Sequence, residues 1–406
     1  MRDSGIGKLF KERRWNPGCG SDAPEAKVIL KLAGNGDQVT SKAAGIPGSL
    51  DASNGTMNNL MVFFFNSTGT VITKTYLSSP GISNDLSTTT DAKSVAVVVN
   101  AGQDVFANVA SKDALKAVLA NMLTSDSPKD AVTQKDDNLY MSGIGTLNPF
   151  EEQADKSMKA TVTVPLFYLS ARIQLTKITF NGGTVSNNKY VQSALFAGDN
   201  DANFTITQVY LMNVQRATHF LPATDSGTDY IAQGDKQYTG GVDWTNPWTT
   251  KMPNLFKKNG EYAIEAGVDK FTPGVDQAAN TISDIGHWYT FANTGVSDIA
   301  NYPTALVVEV KWRKTKADTQ AKPPVDEDIK TLYFTTYFGG RDKDELEPGH
   351  IYNVSLALNG SFLPSNQGGS GGGGTTDPTK PTVNSSVEVK LTAAKWITIP
   401  VSKEWK

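Results

Sequence analysis

Lys27-Val28-Ile29-Leu30-Lys31-Leu32 is the stretch from which the fold is read. Val28, Leu30 and Leu32 recur at every second position, which puts them on one face of an extended strand. Such a half-buried strand needs a sheet to join, and the sequence downstream supplies one. Leu60-Met61-Val62-Phe63-Phe64-Phe65 is an apolar run of strand length that ends at an Asn-Ser-Thr-Gly turn. Residues 71–76 and Ser94-Val95-Ala96-Val97-Val98-Val99 follow in the same style. Further strand-like runs lie at 160–164, 172–180, 204–213, 305–312, 331–338 and 352–358. One helix is expected, with Ser111 as its cap and Asp113 in its first turn. Leu115, Val118, Leu119 and Met122 would form its apolar face. Many short strands between turn signals, with little helix, predict an all-β protein of β-sandwich domains with one short helix in the first.

Composition bounds what such a chain does. Its 406 residues are 39% hydrophobic and 19% charged, with a formal net charge of -3. That balance supports folded domains and lacks the basic footprint of a nucleic-acid binder. The single cysteine excludes an internal disulfide framework and a cysteine-built zinc site. His219, His287 and His350 stand apart from one another in sequence, so neither a histidine-ligated metal nor a cofactor is expected. No run reaches the roughly 18–20 apolar residues of a spanning helix. No nucleophile elbow or phosphate loop is present, and Arg341-Asp342-Lys343-Asp344-Glu345 mixes both signs like a solvated surface. An enzyme is not expected.

The chain divides into a leader over 1–25, a first sandwich over 26–164, a second over 165–362 and a C-terminal arm over 363–406. The leader is basic and broken by Gly and Pro. Its Cys19-Gly20-Ser21 matches the start of a mature bacterial lipoprotein, in which the cysteine carries the lipid; the alternative is a free cysteine in a disordered leader. No apolar run precedes it. The arm opens with a linker at 367–376 that is almost all Gly, Ser, Thr and Gln. A flexible coil of this length has an end-to-end distance of about 16–19 Å. Strand-like sequence then resumes at 386–391 and 396–401.

That tethered sequence matches the opening strand. Val387, Val389 and Leu391 alternate as Val28, Leu30 and Leu32 do, so either set could fill the same place in a sandwich. Removing the first strand would expose a groove and two sheet edges. Three buried aliphatic side chains are worth about 1.5–3 kcal/mol each, and the edges also need partners. The tail of another molecule would satisfy both, by strand addition. A head-to-tail contact of this kind does not close, so it generates a filament. Removal requires a cut, and Lys42 is the one basic residue between Lys31 and Lys74. It lies in a polar, Gly-rich stretch open to proteolysis. Cleavage there would leave Ala43 at the new terminus. Ile397, Ile399 and Val401 extend the arm's alternation, with Pro400 limiting pairing on one side. The alternative is that the arm folds back onto its own second domain as a last pair of strands.

Several segments, in order, resemble the fimbrilin family of Bacteroidetes, the type V pilins. Cys19-Gly20-Ser21 is similar to the family's lipoprotein start. Val28–Leu32 followed by Lys42-Ala43-Ala44-Gly45 is similar to its removable first strand and cleavage site, although family members often have Arg before the cut. Pro165-Leu166-Phe167-Tyr168-Leu169-Ser170-Ala171-Arg172-Ile173 resembles the segment that opens the second domain. Gly349-His350-Ile351-Tyr352-Asn353-Val354 resembles the last core strand, and Thr392-Ala393-Ala394-Lys395-Trp396 the C-terminal ending. The resemblance implies two transthyretin-like sandwiches and export as an outer-membrane lipoprotein, so that the precursor meets the membrane only through its lipid. It implies a processing protease, polymerisation through C-terminal donor strands, and a fimbria on the cell surface. Its partners would be other pilin subunits and a host or bacterial receptor. A tip or accessory pilin shares this architecture. A different class is a glycan-binding surface lipoprotein, for which Tyr230, Tyr238, Trp244, Trp248, Trp288 and Tyr289 would supply stacking rings on a loop-like region.

Overall fold

A computed structural model describes residues 23–34, 55–122, 133–180, 184–186, 189–191, 204–224, 238–239, 274–276, 281–295, 303–313, 329–339, 345–358 and 387–395. It is almost entirely β. The first unit contains β1 (Glu25–Gly34), β2 (Leu60–Phe65), β3 (Val71–Leu77), β4 (Ser83–Thr89), β5 (Ser94–Val99), β6 (Leu119–Asn121), β7 (Met141–Thr146), β8 (Glu151–Glu152) and β9 (Met158–Tyr168). Apart from β6, these form one sheet in the order β3-β2-β5-β7-β9-β1-β4, with β8 on β9.

The six-residue apolar run of β2 has a physical cause, because the strand is buried on both faces. Leu60, Val62 and Phe64 join β1 and the odd-numbered valines of β5 in one core. Met61, Phe63 and Phe65 join a second core with Phe106, Leu115 and Phe220. The β2–β3 turn is tied by the Asn66 side chain, which accepts from the N–H of Thr68 at 3.0 Å and of Thr70 at 2.9 Å. Gly69 takes the positive φ of 81° that the turn requires.

β9 is shared between the two layers of this unit. It runs parallel to β1, while its last residues pair with Met141 and Ser142 of β7. Glycine permits the crossing. A Cβ on Gly143 would lie 2.1 Å from the Pro165 carbonyl oxygen, and one on Gly145 would lie 2.9 Å from Val162 and Val164. The outer strands β3 and β4 approach each other, with the Thr73 and Thr88 hydroxyls 3.0 Å apart.

The second unit is a sandwich of two five-stranded sheets. One is β17 (Gly274–Asp276), β18 (Thr281–Phe291), β10 (Ser170–Phe180), β21 (His350–Leu358) and β22 (Val387–Lys395), in that order. The other is β11 (Thr184–Ser186), β12 (Lys189–Val191), β13 (Phe204–Met212), β19 (Ala305–Arg313) and β20 (Ile329–Tyr337). Ile173, Leu175 and Val354 from the first meet Val209, Leu211, Leu306, Val308 and Phe334 from the second. Chain membership passes from the first unit's sheet to the second's at Leu169; Pro165 lies inside β9. Three short strands complete the set: β14 (Val214–Gln215), β15 (Ala217–His219) and β16 (Tyr238–Thr239).

The helix is shorter than the apolar periodicity predicts. α1 spans Lys112–Lys116, with the Ser111 hydroxyl accepting from the Ala114 N–H as its cap. Leu119 is not on its face but in β6, and it is exposed. A tertiary partner overrides the helical pattern: β6 pairs with β15 of the second unit, and Met122 N–H donates to Arg216 O at 2.8 Å. Phe220 follows β15 and packs against Phe106 and Tyr140, with ring centroids 5.1 and 5.4 Å away. Among the described residues no helix is long and apolar enough to cross a membrane.

Candidate functional site: the place of the first strand and the parking place of the arm

The candidate site is the position that β1 occupies. β1 is an interior strand, antiparallel to β4 on one side and parallel to β9 on the other. Its ends are tied as well: Thr90 N–H donates to Pro24 O at 3.0 Å and Leu32 N–H to Ile82 O at 2.8 Å. Val28 and Leu30 are fully buried and Leu32 is 8% exposed. They pack with Leu86 of β4, Ala160, Val162 and Val164 of β9, and Val62 and Phe64 of β2. The residues expected to form the removable strand therefore fill the interior of the first unit.

The sequence reading did not find β4. Ser83-Asn84-Asp85-Leu86-Ser87-Thr88-Thr89 is polar, and only Leu86 and Thr88 of it are buried. Its one signal is that alternation of Leu86 and Thr88. The β9 wall was more legible, because Thr161-Val162-Thr163-Val164 alternates openly.

The arm's first strand is described, and it lies in the same chain. β22 pairs antiparallel with β21, with Val387 opposite Leu358, Val389 opposite Leu356 and Leu391 opposite Val354. Of the two arrangements that the sequence leaves open for residues 387–395, the described one is the folded-back pairing on the second unit. Among the described residues it is an edge position, because β22 is the last strand of its sheet and has one hydrogen-bonded neighbour. Cys19, Lys42, Ala43, the Gly-rich linker, Ile397, Ile399 and Val401 lie outside the described residues.

A second polar cluster joins the two units. The Asp136 carboxylate accepts from the Tyr289 hydroxyl at 2.7 Å, and the same oxygen lies 2.7 Å from His287 Nε2. The Arg172 guanidinium sits 6.0 Å from the Tyr289 ring centroid. His287 is the main reason that the Asp136 carboxyl is held down to about 2; Tyr289 and the charges of His287 and Arg172 add to this, while burial opposes it. The histidine that looked isolated in sequence is thus part of a joint, brought to Asp136 by the pairing of β18 with β10. His350 instead lies 3.1 Å from the Pro348 carbonyl, and His219 is in β15. Among the described residues no group of three or more His, Cys, Asp or Glu is placed to hold a metal.

The aromatic region is corrected in part. Trp288 and Tyr289 are on strand β18 rather than a loop, and they are 3% and 6% exposed. They pack into the cores and are not available as a sugar platform. Tyr238 is in β16, and Tyr230, Trp244 and Trp248 lie outside the described residues.

Residues 265–396 match the family model described as FimA-like major fimbrial subunit protein, C-terminal domain. A candidate cell-adhesion protein of Bacteroides eggerthii is 25% identical, with a TM-score of 0.61, over 93% of this chain and 98% of that one. The C-terminal third of the chain is therefore similar to the corresponding domain of the fimbrilins. The chain also shares its fold with a fimbrilin from Porphyromonas gingivalis, at 15% identity and a TM-score of 0.53 over 92% of this chain and 98% of that one. A candidate cell-adhesion protein of Parabacteroides distasonis shows the same fold, at 15% identity and a TM-score of 0.53 over 94% of this chain and 98% of that one. A search of curated protein sequences returns no match. The matched model is that of a major subunit of fimbriae.

Proposed function

We propose that this protein is a fimbrilin, a structural subunit of a cell-surface fimbria that polymerises when β1 is removed and the arm of a second copy takes its place, supporting adhesion. The observation that carries the reading is the unequal hold on two similar strands. β1 lies inside a sheet and buries Val28, Leu30 and Leu32, so its loss leaves a vacancy with two open ladders. β22 lies at an edge and can leave by giving up one. Residues 359–386, which connect it to β21, have a contour length on the order of 90 Å, enough to reach a neighbouring subunit. Unpaired strand edges recruit strands, and the β1 vacancy offers an apolar groove in addition.

In this reading the precursor is held at the outer membrane by a lipid on Cys19. A protease with specificity for lysine cuts between Lys42 and Ala43 and frees β1 together with the anchor. Val387, Val389 and Leu391, followed by Ile397, Ile399 and Val401, are the donor residues. The assembly is head to tail and open-ended.

Cleavage after Lys42 should convert the monomer into a ladder on non-boiled SDS gels. Deleting residues 380–406 should abolish the ladder and leave a folded monomer. A cut chain that stays monomeric, or a deleted chain that still polymerises, refutes the proposal. Chains recovered from surface fibres should begin at Ala43. Immunogold labelling along the whole fibre, rather than at its end, distinguishes a stalk subunit from a tip adhesin.

A further inference from the structure

The geometry points to a specific register for the incoming strand, shifted by two residues from the alignment of Val387, Val389 and Leu391 with Val28, Leu30 and Leu32. It rests on the donor-strand reading above. β1 lies against β9 from Ala26 to Gly34, and β22 runs from Val387 to Lys395, the same length. Laid in the same direction over that length, Val387 takes the position of Ala26, Val389 that of Val28, Leu391 that of Leu30 and Ala393 that of Leu32. The two fully buried positions, Val28 and Leu30, then receive a valine and a leucine again. The small residue falls where the groove is less closed, at Leu32.

The alternate, outward positions choose between frames. Lys27 lies between Lys159 and Ser87, Ile29 between Thr161 and Asp85, and Lys31 between Thr163 and Ser83. In the resident strand Lys27 lies beside Lys159, which has Glu151 on its other side, and Asp85 faces Ile29, with Lys27 and Lys31 only on its diagonals. In the shifted frame Glu388 stands beside Lys159 and Lys390 beside Asp85, so each donor charge meets its opposite. In the unshifted frame Glu388 falls beside Asp85. In the reverse direction, with Leu391 at Val28, Lys390 meets Asp85 but Thr392 takes the place beside Lys159. Opposite charges across strands stabilise a pair and like charges destabilise it. On β21 the backbone register sets Glu388 opposite Ala357 and Lys390 opposite Ser355. The vacancy left by β1 therefore reads the charge pattern of the donor, and it recognises a second copy of this chain in one register.

Cysteine pairs test the register in chains trimmed to Ala43, which have lost Cys19. Ser87→Cys with Glu388→Cys should give, after mild oxidation, a ladder that survives boiling in SDS and disappears with reductant. Asp85→Cys with Glu388→Cys should give none. Linking by the second pair, or by neither, overturns the register. The cysteine-free trimmed chain is the control: if it does not polymerise, the donor-strand reading fails instead. Asp85→Lys should slow assembly about two- to five-fold, the scale of an exposed ion pair, and adding Lys390→Glu should restore the rate. Assembly that is indifferent to both changes also overturns the inference.

Discussion

β1 and β22 carry a similar apolar alternation and stand in opposite situations. Both alternate short aliphatic residues with charged ones. β1 is clamped between a parallel and an antiparallel neighbour and closes the core of the first unit. Among the described residues β22 closes the edge of a sheet in the second unit and has one neighbour. The difference teaches that alternation fixes what a strand can do but not how firmly it is held. Firmness comes from the number of ladders and from the core behind the strand.

The largest effect should come from removing the clamped strand. Excising β1 takes away three aliphatic side chains worth about 1.5–3 kcal/mol each, a loss comparable to the whole stability of a small domain. After cleavage at Lys42 and separation of the released fragment, the first unit should lose its cooperative melting transition, followed by near-UV circular dichroism. A synthetic peptide of residues 386–396 should restore it. Restoration by a scrambled peptide of equal composition would show that the vacancy accepts any apolar strand, and the comparison would lose its point.

Point changes should sharpen the contrast. Leu30→Ala in the uncut chain should destabilise it by about 2–5 kcal/mol, the range for a buried leucine. Leu391→Ala should cost less in the uncut monomer, because its strand is held on one side, yet it should hinder polymerisation of the cut chain strongly. Urea unfolding and ladder formation measure the two effects separately. Equal losses of monomer stability would show that the parked strand is as firmly held as the first.

The smallest effect concerns the joint between the units. The Asp136 carboxyl sits at about 2 in the folded chain, below its ordinary 3.8, chiefly because of His287. A depressed carboxyl contributes stability above its unfolded value and loses it as pH falls through about 2. Asp136 is more than a third exposed to solvent, so the contribution is reduced by screening to about 1 kcal/mol. Asp136→Asn should therefore lower stability by about that amount at neutral pH, and the gap should close as the pH approaches 2. A gap that persists at acid pH would mean that the site acts through packing rather than charge.

Much of the architecture was legible because it rests on local pattern. The alternation at Val28–Leu32, the doubly buried run of β2 and the apolar β5 each announced a strand, and Ser111 announced its helix cap. Other elements were hidden for identifiable reasons. β4 is polar because its outer residues face solvent. β7 carries Gly143 and Gly145, which depress strand propensity but are required where β9 crosses. The stretch from Leu119 to Met122 has a helical spacing of apolar residues, yet β15 draws it into a ladder. Asp136 looked like any loop carboxylate until the fold set His287 and Tyr289 against it.

The chain's own pattern determined that it is all-β, that its opening and closing strands share an apolar alternation, and that Lys42 is the one basic residue between Lys31 and Lys74. Only the tertiary structure decided that one of those strands is interior and the other peripheral. It also decided which charges, Lys159 and Asp85, flank the place of the first. The reason is that side-chain period is a local property of a strand, whereas the number of its neighbours and their register are set by contacts between segments far apart in sequence.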